Sequence, residues 1–378
     1  MKFLHTGDLH LDSSFCRYGA LDADRLRERG RALLRRIFAC AIQEECDMLL
    51  IAGDLFDSRV ITPETERLFV SLIREFERPV VVSPGNHDPY EAGSFWQRSQ
   101  LPDNLHVFNS KELQCFEFPE LHATVFGYAF LSPSFPERPL LEATAPAKQE
   151  GEIRLLCAHG DLSDPMSRYA PITGNDLLKF SFDYAAMGHV HNRAGSSTLA
   201  SYCGFPEGRS FDEEGEGGVM LVSVTDGVVA TERKCLSQVQ FLRAELDVSG
   251  CESADELEAR LAAFADSMKH DLSQTHLRLS LVGMMEEGIA EEWKLRESET
   301  EKRFAFFSLR DHTTPAVSGE YLMRDPTIRG AFYRTLLDQI RGDDPEKREL
   351  ALRALRIGLL AIDGKSFTEP NETKGGAK

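Results

Sequence analysis

Seven residues able to ligate a metal stand at the ends of apolar runs in the first half of this chain: Asp8, His10, Asp54, Asn86, His159, His189 and His191. Asp8 and His10 are separated by one residue, and so are His189 and His191. In extended chain that spacing points both side chains of a pair the same way, so each pair is expected to lie extended and to reach inward to one centre. Seven ligands exceed what one ion needs and divide well between two, with Asp54, a lone carboxylate between the clusters, as the natural bridge. Mixed oxygen and imidazole donors suit Mn, Fe or Zn better than Mg or Ca, which prefer oxygen. Two ions about 3.5–4 Å apart activate a water and clamp a phosphate for in-line displacement. The leaving oxygen then needs a proton, and His87, beside Asn86, is the candidate donor. Asp88 and Asp161 are candidates to orient a histidine from behind. One Asp-x-His alone is weak; the weight lies in five of the eleven histidines falling in such motifs.

The elements that must position these residues can be read from what precedes them. Lys2–Leu4 leads into Gly7-Asp8, Met48–Ala52 into Gly53-Asp54, and Val80–Val82 into Gly85-Asn86-His87-Asp88. Ile153–Cys157 leads into His159-Gly160-Asp161, and Tyr184–Met187 into Gly188-His189-Val190-His191. Each run has the length and residue types of a buried strand. Ligand sites in layered α/β folds gather beyond the carboxyl ends of strands, so five strands ending this way imply one shared site. Helices separate them: residues 23–45, with Leu26, Leu33, Leu34, Ile37, Phe38 and Ala41 at helical spacing and Asp22 as cap, and Pro63–Phe76. The alternation predicts an α/β fold, a layered β-sandwich flanked by helices, finished by strands at Val219–Val224 and Gln238–Ala244.

A boundary is expected near residue 240, giving domains 1–240, 241–312 and 313–378. The middle piece reads as a small α+β unit, with strands at 241–248 and 275–282. Between them a helix over 253–269 carries Leu257, Leu261 and Phe264 on one face, and the Phe-rich run 304–308 supplies a further strand. Residues 325–341 and 345–362 read as helices, the second opened by Asp344 and Pro345. The tail from about 364 is expected to fray.

The chain has 378 residues, 42% of them hydrophobic and 28% charged, an ordinary globular composition for two or three domains. Its net charge of −18 excludes a broadly cationic nucleic-acid binder. It does not exclude a nucleic-acid enzyme, because bound ions and local arginines reverse the field inside a site. No run approaches the roughly 18 apolar residues of a membrane span, and no long apolar segment precedes the first strand-like run. The eight cysteines contain no Cys-x-x-Cys pair. A cytoplasmic protein with reduced thiols and no membrane association is expected.

Gly7-Asp8-Leu9-His10, Gly53-Asp54-Leu55-Phe56-Asp57, Gly85-Asn86-His87-Asp88, His159-Gly160 and Gly188-His189-Val190-His191 resemble, in order and spacing, the five signature motifs of calcineurin-like metallophosphoesterases. The match is nearest to the bacterial DNA-repair exonuclease branch of SbcD- and YhaO-type nuclease subunits, and the segment from Gly204 to Glu213 looks YhaO-like. The resemblance covers residues 1 to about 240; the small domain is similar to that branch's capping domain only in general plan. It implies that Asp8, His10 and His191 hold one divalent ion, Mn before Fe or Zn, and that Asn86, His159 and His189 hold the other. Asp54 would bridge and His87 would act on the leaving group. Archaeal and eukaryotic relatives have a second histidine where this chain has Asp57, so a second proton-transfer histidine is not supported. The resemblance further implies DNA as substrate, a coiled-coil SMC-type ATPase (SbcC/YhaN-like) as partner, and a homodimer.

The first function expected is therefore a metal-dependent DNA exonuclease or endonuclease of repair. The alternatives are a phosphomonoesterase or cyclic-nucleotide phosphodiesterase on the same site, and a scaffold for the ATPase. The full ligand set argues against a scaffold, and the added domain after residue 240 argues against a minimal phosphatase. Arg25, Arg27, Arg29, Arg31, Arg35 and Arg36 crowd one helix, either as a phosphate-binding face or as a solvated surface balanced by acid. Arg209 is a candidate phosphate contact or a structural ion pair. His5 is expected in the core, and His106, His122, His270, His276 and His312 in structural or surface roles. The apolar side chains of 345–362 either pack on their own domain or dock a partner.

Overall fold

A computed structural model describes residues 1–14, 20–58, 61–98, 100–192, 197, 199–285, 288–296, 298–315, 319–342, 344–362 and 364. The chain divides into two compact units, Met1–Gln240 and Phe241–Lys378. None of the described helices is long and apolar enough to cross a membrane.

The first unit runs β1 (Lys2–Thr6), α1 (Ala20–Gln43), β2 (Met48–Ile51), α2 (Pro63–Phe76), β3 (Val80–Val82) and β4 (Leu105–Val107). Then come β5 (Gln114–Phe118), β6 (Ala123–Gly127), α3 (Pro139–Glu142), β7 (Ile153–His159), α4 (Gly174–Phe180), β8 (Tyr184–Gly188), β9 (Ala200–Tyr202), β10 (Gly218–Thr225) and β11 (Val228–Cys235). One sheet has the order β11-β10-β1-β2-β3-β4 and the other β5-β6-β7-β8-β9. Strands β1 to β4 are mutually parallel, as are β6 to β9.

Both faces of the central strands are apolar, and the alternation divides them between layers. Phe3, Met48, Leu50 and Val81 of the first sheet meet Val125, Leu155, Cys157 and Tyr184 of the second. Leu4, Leu49, Ile51 and Val80 face the other way, onto Leu34, Ile37 and Phe38 of α1 and Phe69 and Ile73 of α2. The outer face of the second sheet packs on α4 through Leu156, Ala158, Leu177 and Phe180. The result is the layered helix–sheet–sheet–helix sandwich expected from the alternation. His5 is fully buried, accepting from the Tyr184 hydroxyl and donating to the Met187 carbonyl. No described cysteine is in a disulfide; Cys16 lies outside the described residues.

Three details differ from the sequence reading. Helix α1 begins at Ala20, so Asp22 lies inside it rather than ahead of its first turn. Strand β11 was not anticipated, because VVATERKC alternates poorly and leaves most side chains solvent-facing. The strand expected at Gln238–Ala244 does not finish this sheet; it opens the second unit as β12 (Gln240–Asp247).

The second unit continues with α5 (Ala254–Ser267), β13 (Thr275–Val282), β14 (Met284–Met285), α6 (Ile289–Lys294), β15 (Phe306–Asp311), β16 (Thr314–Pro315), α7 (Gly319–Arg324), α8 (Ile328–Ile340) and α9 (Pro345–Ile362). Strands β12, β13 and β15 form a sheet in that order. Its apolar side buries Leu257 and Leu261 of α5 with Leu277, Leu279 and Trp293. A separate cluster joins Leu322 of α7, Tyr333 of α8, and Leu355 and Leu359 of α9. Residues 241–312 and 313–378 thus fall in one unit with two apolar clusters. The tail expected to fray, beyond 364, lies outside the described residues.

Candidate metal centre

The ligand-bearing segments begin where β1, β2, β3, β7 and β8 stop. The turns after β1 and β2 are stitched together past the strand ends, continuing the parallel register. Asp8 N–H donates to Gly53 O at 3.0 Å, His10 N–H to Asp54 O at 2.9 Å and Leu11 N–H to Leu55 O at 2.8 Å. The backbone is not extended there. Asp8, His10 and Asp54 have φ of 54°, 46° and 48°, and His189 has φ of 103°. These are left-handed conformations that cost a non-glycine residue about 1–3 kcal/mol each and survive only where surroundings over-determine them. The expected extended Asp-x-His and His-x-His pairs are therefore corrected: the pairs curl, and inter-loop bonds aim their side chains. Close approach demands glycine at Gly85 and Gly188, where a Cβ would overlap Asp54 Oδ1 and the Ala52 carbonyl.

The candidate ligands converge. Asp8, His10 and His191 place one donor atom each within 4.8 Å of one another, as do Asp8, Asp54 and His159, and also His10, Asp54 and His87. Asp54 Oδ1 accepts the His87 backbone N–H at 2.9 Å. Its Oδ2 lies between two imidazoles, 3.7 Å from His10 Nε2 and 3.4 Å from His159 Nε2. Asn86 Oδ1 is 2.9 Å from His159 Nε2, and the His189 ring is 5.1 Å from that of His159.

Three histidines are oriented from behind. Asp57 Oδ1 takes the proton of His10 Nδ1 at 3.0 Å, Glu213 Oε1 that of His191 Nδ1 at 2.8 Å, and the Ala52 carbonyl that of His159 Nδ1 at 3.0 Å. In the neutral rings this leaves each Nε2 as a bare lone pair turned inward. His10 Nε2 and His191 Nε2 then face each other at 3.3 Å, and His159 Nε2 faces Asn86 Oδ1 at 2.9 Å. Acceptors apposed at that distance repel unless a cation lies between them. Two ligands on one ion, each at about 2.1 Å, are themselves about 3.0–3.4 Å apart. With Asp8 and Asp54 only 1% and 2% exposed, the pocket fits divalent cations and would hold them through the residues named.

Asp57 and Glu213 are the functional residues that sequence reasoning missed. Asp57 ends the Gly53–Asp57 motif and Glu213 the Gly204–Glu213 segment, but neither spacing nor residue type assigns them a histidine. Asp57 also accepts from His87 Nδ1 at 3.1 Å. That hydrogen bond, ahead of opposing burial, raises the His87 pKa above its ordinary value. Asp57 is held low: burial opposes its charge, and the two histidine hydrogen bonds outweigh it. Burial likewise opposes the charge of Glu213, but His191 and Arg209 bring its pKa to about 2. Burial, then the neighbouring His159, lowers His189 to about 3, so its ring is a neutral donor. Burial pushes Asp8 up, whereas at Asp54 the histidines His159, His10 and His87 outweigh burial and hold it down.

The remaining sequence-named residues are placed as follows. Asp88 orients no histidine: its carboxylate accepts the backbone N–H groups of Gly85, Asp54, Leu55 and Phe56, pinning the β2 and β3 turns together. Asp161 accepts from Ser163 and Asp164 and closes its own turn. Its charge nevertheless acts on His189. Arg209 donates to Glu213 at 2.6 Å, an ion pair, while its charge is felt at His10 and His191. On α1, Arg27 pairs with Asp24, Arg31 and Arg35 with Glu28, and Arg36 with Glu207.

A two-sheet sandwich with aspartate, asparagine and histidine gathered at strand ends defines a metallophosphoesterase. Residues 1–193 match the calcineurin-like phosphoesterase family, and the chain belongs to it. Along 361 residues it is 28% identical to the uncharacterized metallophosphoesterase YhaO of Bacillus subtilis (strain 168), covering 88% of this chain and 86% of that protein. A crystal structure of a dimetal phosphatase from Danio rerio shares 12% identity and a TM-score of 0.38 over 62% of this chain and 96% of that one, too slight an overlap to bear on detail.

Proposed function

We propose that this metallophosphoesterase cleaves phosphodiester bonds of DNA as an exonuclease or endonuclease subunit of repair. The carrying observation is an open cleft of about 570 Å³ that meets the ligand cluster at Asn86 and His87 and is also lined by Asp57, Glu91, Pro133 and Tyr169. An open cleft admits a chain as readily as a small ester, and His87 stands in it with its side chain 44% exposed. The likeness to YhaO extends over most of both chains, second unit included, which a minimal phosphatase does not need.

When bound, two divalent ions, Mn first, would polarise the phosphoryl oxygens and supply an activated water. Asp8, His10 and His191 would hold one ion and Asn86, His159 and His189 the other, with Asp54 between them. Asp57 holds His87 Nδ1, so His87 Nε2 is the atom that carries a proton to the leaving oxygen. Asp88 and the stitched turns keep these groups in register. The exposed Leu350 and Leu352 of α9 support docking of a coiled-coil SMC-type ATPase, although Leu355 and Leu359 pack on the same unit. A homodimer and a cytoplasmic location belong to the same reading.

The test is Mn-dependent degradation of linear DNA across a salt series, beside hydrolysis of a small phosphomonoester. A nuclease neutralises several phosphates, so its apparent affinity falls steeply with salt. Efficient phosphomonoester turnover without any DNA cleavage sinks the nuclease reading and promotes the phosphatase.

A further inference from the structure

A groove opens beside His10, between the Leu9–Asp12 turn, residues 207–209 and one side of α1. Helix α1 turns Leu26, Arg29, Gly30 and Leu33 toward it. Gly30 lets the helix come close: a Cβ there would sit 3.2 Å from Leu11 Cδ2, on the turn that carries His10. Arg27, Arg29 and Arg209 all line the groove.

Its acidic groups are already committed. Asp12 accepts from Thr62 N–H at 2.6 Å and Thr65 Oγ1 at 2.8 Å, and Arg31 lies 3.8 Å away. Glu207 is bound by Arg36 and the Gln238 N–H, both at 2.8 Å. Arg27 and Arg209 have carboxylate partners, whereas Arg29 makes no ion pair among the described residues. The lining thus sets Arg27, Arg29 and Arg209 against Asp12 and Glu207, whose charge Arg29 also feels, an excess of positive groups beside a metal ligand in a chain of net charge −18. Its space for water-sized groups is about 40 Å³, room for roughly three waters. That is room for a phosphate group.

The geometry points to a second phosphate subsite: the groove takes a phosphate of the polynucleotide adjacent to the scissile one, with Arg29 as its principal contact and Arg209 at the end nearest His10. This rests on the polynucleotide reading above. It also gives the acidic chain a local route to a polyanion.

The experiment uses the full chain with Mn, a short single-stranded oligodeoxynucleotide, linear duplex DNA, and bis(p-nitrophenyl) phosphate as a substrate with no neighbouring phosphate. Arg29→Ala should raise KM for the oligonucleotide roughly tenfold at low salt, with kcat little altered. The slope of log(1/KM) against log salt should become shallower by about 0.7–0.9, the contribution of one phosphate. Arg29→Glu should raise KM further. Both variants should lose selectivity for the oligonucleotide over the small ester. Arg67→Ala, on α2 and paired with Glu64, is the control and should keep the parent slope. If the parent cuts DNA and Arg29→Ala keeps its KM and salt slope, the subsite is refuted while the nuclease reading stands. If the parent turns over only the small ester, the polynucleotide reading fails and the subsite falls with it.

Discussion

Glu213→Gln tests whether the centre depends on its outer partners. Glu213 is 5% exposed and takes the proton of His191 Nδ1 while also holding Arg209. A hydrogen bond to a charged group is worth about 1.5–3 kcal/mol and a neutral one about 0.5–1.5. The amide thus weakens the hold on His191 by about 1–1.5 kcal/mol, roughly a tenfold effect. It can also turn its NH2 toward the ring, so the expected loss of Mn affinity is about 10–100-fold, the usual range for such partners. Isothermal titration with Mn reads this directly. Glu207→Gln is the control: Glu207 is equally buried and bound to Arg36, but its hydrogen bonds go to Arg36 and Gln238. It should lower Tm and leave Mn affinity near the parent value. Parent-like affinity in Glu213→Gln, or equal weakening in both variants, refutes the reasoning.

Asp57→Asn removes the largest influence raising the His87 pKa. A general acid must be protonated, so activity is lost as pH rises through that pKa; in the variant the loss should begin at lower pH, as a kcat/KM profile with bis(p-nitrophenyl) phosphate would show. An unmoved alkaline limb assigns the proton elsewhere. His87→Ala should keep bound Mn by metal analysis while losing about 10²–10⁴-fold in rate, whereas Asp54→Ala should lose metal too. Leu355→Ala, between α8 and α9, should cost about 2–5 kcal/mol by denaturant unfolding without weakening Mn binding. A negligible cost would mean that α9 does not belong to the second unit's packing.

The strands and their order of chemistry were legible because Val80–Val82 or Met48–Ala52 can hardly be anything but buried strand, and each runs straight into glycine and a ligand. The backbone at those ligands was not legible: left-handed Asp8 and His10 arise from bonds to the β2 turn, which no local spacing encodes. Asp57 and Glu213 were invisible as partners for the same reason, since each meets its histidine only after folding. Asp88 was misread because an acid beside a ligand looks like a histidine's partner until the N–H groups of a distant turn are seen to fill it. The arginines of α1 could be counted, but which of them were already paired depended on Asp24, Glu28 and Glu207. The apolar side chains of α9 could not say from sequence that Leu355 and Leu359 were already covered.

The stitching of the Asp8–Leu11 turn to the Gly53–Leu55 turn limits where the gene can change length. Inserting one residue on either side slips every bond of that seam and turns Asp8, His10 and Asp54 away from their shared focus at once. Deletions there do the same. Variation in chain length among relatives should therefore collect in segments that carry no part of the seam, such as 109–113 or 144–151, while the seam keeps a constant count of residues. A catalogue of insertions would trace its outline before any ligand was mutated.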